Sequence, residues 1–254
     1  MKKPISNKLL AIDLGNTTVS YALFQNRKVV AYAYSKNDNI PALINFLKKK
    51  GVRNALNVIM SSVVPKKAIF IKKALKRNFK EIKIWEVGRN VHPGVKMRYK
   101  RRSLGADRLV NVYGAIQKYR LPALVIDFGT AITFDYVDRN GIFAGGLITP
   151  GIETSWKSLQ ERAALLPKYV NLKAVNQLTA TDTNSAMSSG LLNGFGALTD
   201  GLIDRFKEKF GRKLTVLATG GSSPLIARYS RGIDKADPLH TLRSLDLLFL
   251  NEIS

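Results

Sequence analysis

The chain has 254 residues, 41 lysines and arginines against 18 acidic residues for a net charge of +23, and no cysteine. The missing cysteines exclude disulfides, thiolate metal sites and a thiol nucleophile. No run approaches the ~18 apolar residues of a membrane span, and Met1 to Lys8 does not read as a signal peptide, because the apolar run behind it stops at Asp13.

In chain order, the first elements read as strands at 8–13, 18–25 and 28–34, the first ending in Ile12-Asp13-Leu14-Gly15-Asn16-Thr17. A helix follows from Ile40 to Lys50, with Leu43, Ile44 and Leu47 on the 3.6-residue period. The segment Ala55 to Ser61 is a strand, and Ser61-Ser62-Val63-Val64-Pro65 turns into a helix over 66–78 that is expected to face Ile69, Ile71 and Leu75 inward. Ile82 to Val87 is a short strand, and Arg89 to Ser103 a basic loop. Leu104 to Tyr119, with Leu109, Val112, Tyr113 and Ile116, reads as an amphipathic helix bridging two lobes.

The second half repeats the plan. Strands are expected at 122–127, 132–137 and 142–148, then helices, a strand at Leu214 to Ala218 and closing helices. Leu191 to Phe210 carries Leu191, Phe195, Leu198, Leu202 and Phe206 on one face, and its glycines at 190, 194, 196 and 201 weaken the helix while permitting close backbone contact. Strand triplets followed by alternating helix and strand predict a duplicated α/β fold with mixed sheets, the lobes spanning 1–117 and 118–254.

The repeat also carries the chemistry. Ile12-Asp13-Leu14-Gly15-Asn16-Thr17 and Ile126-Asp127-Phe128-Gly129-Thr130 each put a carboxylate at a strand end, then a glycine, then hydroxyl or amide groups. Such a carboxylate holds Mg²⁺ through water, or a monovalent cation, while backbone N–H groups and hydroxyls take phosphate oxygens. Two such hairpins facing each other would hold a nucleotide, which makes the chain readable as a phosphotransfer enzyme. Gly105-Ala106-Asp107-Arg108 opens the bridging helix, where the helix dipole favours an ionised Asp able to take a proton from an alcohol. Arg108 suits a carboxylate or phosphate. Thr219-Gly220-Gly221 suits a flat ring lying close to backbone. His92 and His240 read as loop residues, not ligands or bases.

Taken with Gly145 to Gly151, Thr183, Ala186-Met187 and Gly190, these motifs run in order along nearly the whole chain, which resembles the type III pantothenate kinases. The resemblance implies duplicated ribonuclease H-like lobes of the acetate and sugar kinase/Hsp70/actin superfamily. It implies phosphorylation of pantothenate by ATP with Mg²⁺, the first committed step of coenzyme A synthesis, a requirement for K⁺ or NH₄⁺, and a homodimer. By the same likeness Asp13, Leu14, Gly15, Asn16, Thr17, Thr18, Val19 and Ser20 form the ATP phosphate loop, and Thr130 adds an ATP contact. Asp127 takes the monovalent cation. Asp107 is the base, within a pantothenate segment Gly105, Ala106, Asp107 and Arg108. Tyr99 matches a substrate-contacting Tyr, and Thr183 reaches the pantothenate of the partner subunit. The link Lys100-Arg101-Arg102-Ser103-Leu104 departs from the family in lacking a Pro and being a residue shorter, and Asp182 stands where the family commonly has Asn.

The positive charge reads as a solvated lysine-rich surface. No aromatic–basic interleaving, helix-turn-helix or RNP-type motif accompanies it, so nucleic-acid binding beyond nonspecific attraction is not expected. The competing readings are an accessory regulator of transcription, which a branch of the family was first taken to be, and a kinase of another small hydroxy acid or sugar. The enzyme reading carries a cytoplasmic location with it.

Overall fold

The computed structural model describes residues 7–163, 166, 167, 172, 175 and 177–253. They form two compact units, one made of residues up to Lys118 together with those from Leu239 onward, the other of Tyr119–Pro238.

The first unit is built on five strands, β1 (Lys8–Leu14), β2 (Thr18–Gln25), β3 (Lys28–Lys36), β4 (Ala55–Ser62) and β5 (Glu81–Glu86), in the order β3-β2-β1-β4-β5. β1 pairs antiparallel with β2 and parallel with β4. As the central strand it is covered on both faces, and Leu9, Leu10, Ala11 and Ile12 are all buried, which is why it reads as an unbroken apolar run. β3, at the edge, alternates exposed and half-buried positions.

Helix α1 (Ile40–Lys49) starts where Asn39 caps the Ala42 N–H at 3.2 Å, and it buries Leu43, Ile44 and Leu47 as its spacing predicts. Helix α2 (Pro65–Asn78) opens on a proline and buries Ala68, Ile71 and Leu75. Ile69, expected inward, is 42% exposed. Ala68 sets the phase of the stripe, and Ile69, one residue on, is rotated about 100° off it.

The second unit repeats the topology. β6 (Ala123–Phe128), β7 (Ala131–Val137), β8 (Phe143–Pro150), β9 (Thr215–Thr219) and the short β10 (Lys235–Ala236) lie in the order β10-β9-β6-β7-β8. β6 is antiparallel to β7 and parallel to β9, as β1 is to β2 and β4. The expected duplication of α/β lobes is therefore present strand for strand. Helix α4 spans Ile152–Arg162, α5 Thr183–Phe210 and α6 Ser223–Ile226. The buried stripe of α5 is Ser188, Ser189, Leu192, Gly196, Thr199 and Ile203, while Leu191, Phe195, Leu202 and Phe206 flank the core half-buried. Of the four glycines in that helix only Gly196 meets backbone closely: a Cβ there would lie 2.3 Å from the Tyr229 carbonyl oxygen.

Two further expectations change. Helix α3 (Ala106–Lys118) belongs wholly to the first unit, and so does the last helix, α7 (His240–Glu252), which the sequence reading assigned to the second lobe. The two pack together. Gly114 has no room for a Cβ, which would stand 1.8 Å from Ser244 Oγ. His240 is buried at the start of α7 instead of in a loop, with Nε2 3.0 Å from the Asn111 carbonyl oxygen, and Thr241 donates to Asn111 Oδ1 at 2.8 Å. Trp85 of β5 meets Phe249 of α7 edge-on at 5.1 Å. The amphipathic face of α3 is thus covered by the chain's other end.

Candidate active site

In the first unit, Asp13 sits at the end of β1, paired in register with Ser20 on β2 and Ser61 on β4. The turn that follows is closed by the Gly15 N–H on the Thr18 carbonyl at 2.9 Å. Asn16, Thr17 and Thr18 are exposed at the turn, whereas Leu14 and Val19 point into the core. Of the expected phosphate-loop residues, these two have only backbone to offer a ligand.

The second strand-end carboxylate has the same neighbours. Asp127 pairs in register with Thr133 on β7 and Thr219 on β9. Its turn is hemmed in by glycines from elsewhere in the unit. A Cβ on Gly220, at φ 87°, would lie 2.4 Å from Asp127 Oδ1, and one on Gly151 would lie 2.2 Å from the Gly129 carbonyl oxygen. Thr130 is anchored through its carbonyl, which accepts from the Gly151 N–H at 3.0 Å and from Thr154 Oγ1 at 2.6 Å. Its side chain is left at the surface.

Among the described residues no three His, Cys, Asp or Glu side chains cluster to cage a metal. The donor set at each strand end is a single carboxylate beside a buried hydroxyl, Ser61 or Thr219, that has no hydrogen-bond partner. That set suits a cation bound through one carboxylate, water and phosphate, not one held in an all-protein cage. The sequence places Ser61 in the motif Ser61-Ser62-Val63-Val64-Pro65 but gives it no role at the site, because a serine in a buried strand carries no such signal until its lack of a partner is seen.

The third group of residues is at the start of α3. Asp107 is in the first turn, and its Oδ1 accepts from the Arg108 N–H at 2.7 Å. The carboxyl folds back over Gly105, where a Cβ would come within 2.4 Å of Oδ1 and 3.4 Å of Val63 Cγ1. Arg108 is buried, with its guanidinium 5.2 Å from the Tyr99 ring centre and Nη1 3.4 Å from the Tyr99 hydroxyl. The structure therefore brings together Tyr99, Gly105, Asp107 and Arg108, with Val63 as an unforeseen neighbour. Thr183 lies in the other unit as the first residue of α5, behind an Asp182 N-cap that accepts from the Ser185 N–H at 3.0 Å.

A family model described as type III pantothenate kinase matches residues 9–205. A type III pantothenate kinase of Caulobacter vibrioides is 39% identical over 248 residues, 93% of this chain and 95% of the relative. One from Dehalococcoides mccartyi is 35% identical over 255 residues, 96% and 98% of the two chains. The chain belongs to the type III pantothenate kinase family. Among solved structures, a protein of Campylobacter jejuni described as a Baf family transcriptional activator has a TM-score of 0.58 at 22% identity, covering 95% of this chain and 97% of its own. Component A of (R)-2-hydroxyglutaryl-CoA dehydratase from Acidaminococcus fermentans has a TM-score of 0.50 at 14% identity, over 95% and 97%. At these identities both likenesses concern the fold alone, a duplicated α/β arrangement.

Within this family member, Asp107 stands in an unusual setting for a carboxyl. Burial pushes its carboxyl above the ordinary carboxylate range, against the pull of the Arg108 N–H and the Arg108 charge. A folded-state pKa above the unfolded value means that the unfolded chain gives up this proton first as pH rises. Stability then falls through the window between the two values and is level above it. Asp107→Asn keeps an oxygen for the Arg108 N–H and removes the charge. The variant is expected to gain on the wild type in unfolding free energy as pH rises through and above the ordinary carboxylate range. Urea titrations of both proteins across that range measure the difference; a gap that does not widen with pH contradicts a raised Asp107.

Proposed function

We propose that the protein transfers the γ-phosphoryl group of ATP to the primary hydroxyl of pantothenate, the first step of coenzyme A biosynthesis. One observation carries this reading beyond family membership: a half-buried carboxyl at the first turn of α3, folded over a glycine and backed by a buried Arg108. Asp107 accepts the hydroxyl proton as the alcohol oxygen attacks the γ-phosphorus, and ADP leaves. A carboxyl with a raised pKa is a stronger base than a free one, which favours that transfer. Arg108, always charged, holds the acid's carboxylate, and Tyr99 braces the guanidinium by stacking on it. The β1–β2 turn from Asp13 to Ser20 and Thr130 bind the phosphates of ATP. Mg²⁺ bound with the nucleotide neutralises phosphate charge, and Asp13 would hold it through water.

An ADP-release assay with pantothenate tests the activity directly. Asp107→Asn is expected to lose about 10²–10⁴ in turnover while nucleotide binding persists; a variant that keeps more than a tenth of wild-type turnover takes Asp107 out of the role.

Asp127 is assigned to a K⁺ or NH₄⁺ ion. Support comes from the strand-end carboxylate with the unpartnered Thr219 hydroxyl next to it in register. Asp127→Ala should be much weaker and no longer respond to K⁺. A variant that is stimulated by K⁺ as the wild type is would move the cation elsewhere.

A homodimer in the cytoplasm completes the reading, with Thr183 of a second copy contacting pantothenate. Leu147 and Ile148 on the edge strand β8 and Leu198 on α5 are exposed apolar residues of the unit that bears Thr183, as a subunit interface needs. No helix among the described residues is long and apolar enough to cross a membrane. Mixing inactive Asp107→Asn with a Thr183→Trp protein should restore part of the activity, since one of the two hybrid sites is intact. No recovery despite demonstrated subunit exchange would mean a site built within one chain.

A further inference from the structure

A residue outside the β1–β2 hairpin helps to hold the turn between its two strands. Asn37, just past the end of β3, is buried. Its Nδ2 donates to the carbonyl of Gly15 at 2.9 Å and to the carbonyl of Asn16. Its backbone N–H donates to the carbonyl of Thr17 at 3.1 Å. Three successive carbonyls of the turn thus converge on one side chain and its own peptide. Lys67, in the first turn of α2, donates from Nζ to Asn37 Oδ1. The ammonium has only donors, so it accepts one orientation of the amide, oxygen toward Lys67 and nitrogen toward the turn.

The direction of those bonds matters for a ligand. In a trans peptide the C=O and the following N–H point opposite ways. Carbonyls of Gly15 and Asn16 drawn toward Asn37 turn the N–H groups of Asn16 and Thr17 away from it, on a stretch of the turn that is exposed. Successive N–H groups aimed to one side form a cradle for an anion.

We infer that Asn37 is a positioning residue for the nucleotide's phosphates, setting the peptide planes of the β1–β2 turn, and that Lys67 locks Asn37 in the amide orientation this requires. The inference rests on reading that turn as the ATP phosphate loop. It acts on ATP through the turn and leaves the pantothenate group of residues at α3 untouched.

The test compares the full-length wild type with Asn37→Ala and Lys67→Met. Each is titrated with ATP at saturating pantothenate, with pantothenate at saturating ATP, and with an N-methylanthraniloyl derivative of ATP in a binding assay without turnover. Loss of two neutral hydrogen bonds in Asn37→Ala is expected to raise the ATP KM and the analogue Kd about tenfold, with Lys67→Met moving both the same way by less. The pantothenate KM should stay within about twofold in both, a split that general loosening of the fold would not produce. Lys67→Met leaves every bond from Asn37 to the turn in place, so it reports even if Asn37→Ala fails to fold. Equal shifts in both KM values, or an unchanged analogue Kd in the two variants, overturns the inference. A wild type that binds the analogue but does not phosphorylate pantothenate defeats the activity reading while the analogue Kd still judges Asn37. A wild type that binds no nucleotide defeats both.

Discussion

Desolvation decides where the two strand-end aspartates can stand. β1 and β6 are central strands whose apolar runs are buried on both faces, and an ionised carboxylate within such a run would cost several kcal/mol. Near the end of each strand the cover gives out on the aspartate's face alone: Asp13 and Asp127 are half-buried, while Leu14 and Phe128 beside them stay in the core. The polar groups of each site are therefore confined to one end of each sheet. The turns, the parallel neighbours Ser61 and Thr219, and the glycines at 151 and 220 are arranged around that end.

Helix α3 solves a different problem for the same unit. It must offer Asp107 and Arg108 at its start while its length is anchored in the core, and the anchoring is supplied by α7. The contacts are tight: Ser244 occupies the space a Gly114 side chain would fill, and Asn111 is bonded through both its carbonyl and its side chain. A rigid seat matters for a base whose proton affinity depends on how deeply it is buried. Small movements of α3 would change the desolvation that raises the Asp107 pKa as well as its distance from an alcohol.

Much of this was legible in the sequence where burial is simple. The strands appear because central strands read as apolar runs, and the stripe of α1 because its apolar residues keep the helical period. The strand-end motifs stood out by repetition, and the aspartate at the start of α3 by its helix-opening position. The parts that escaped share a cause. α5 faces the core with serine, glycine and threonine, so hydrophobic periodicity locks on to the flanking leucines and phenylalanines instead. Ile69 is apolar yet points outward, and His240 is polar yet buried, each against the rule a pattern search applies. Asn37 and Lys67 are 30 residues apart, and neither resembles a site residue until the bonds between them are seen.

The return of α7 to the first unit makes that unit discontinuous: all of Tyr119–Pro238 is inserted between its two pieces. During synthesis, the residues that cover α3 emerge only after the whole of the second unit. The second unit is continuous and can close by itself, but the first must wait with the apolar side of α3 uncovered. The helix that bears Asp107 is therefore among the last parts to be fully covered in a chain made from its N-terminus. Chains that stop short of α7 would retain every one of the site's residues and lack the surface that holds Asp107 in position.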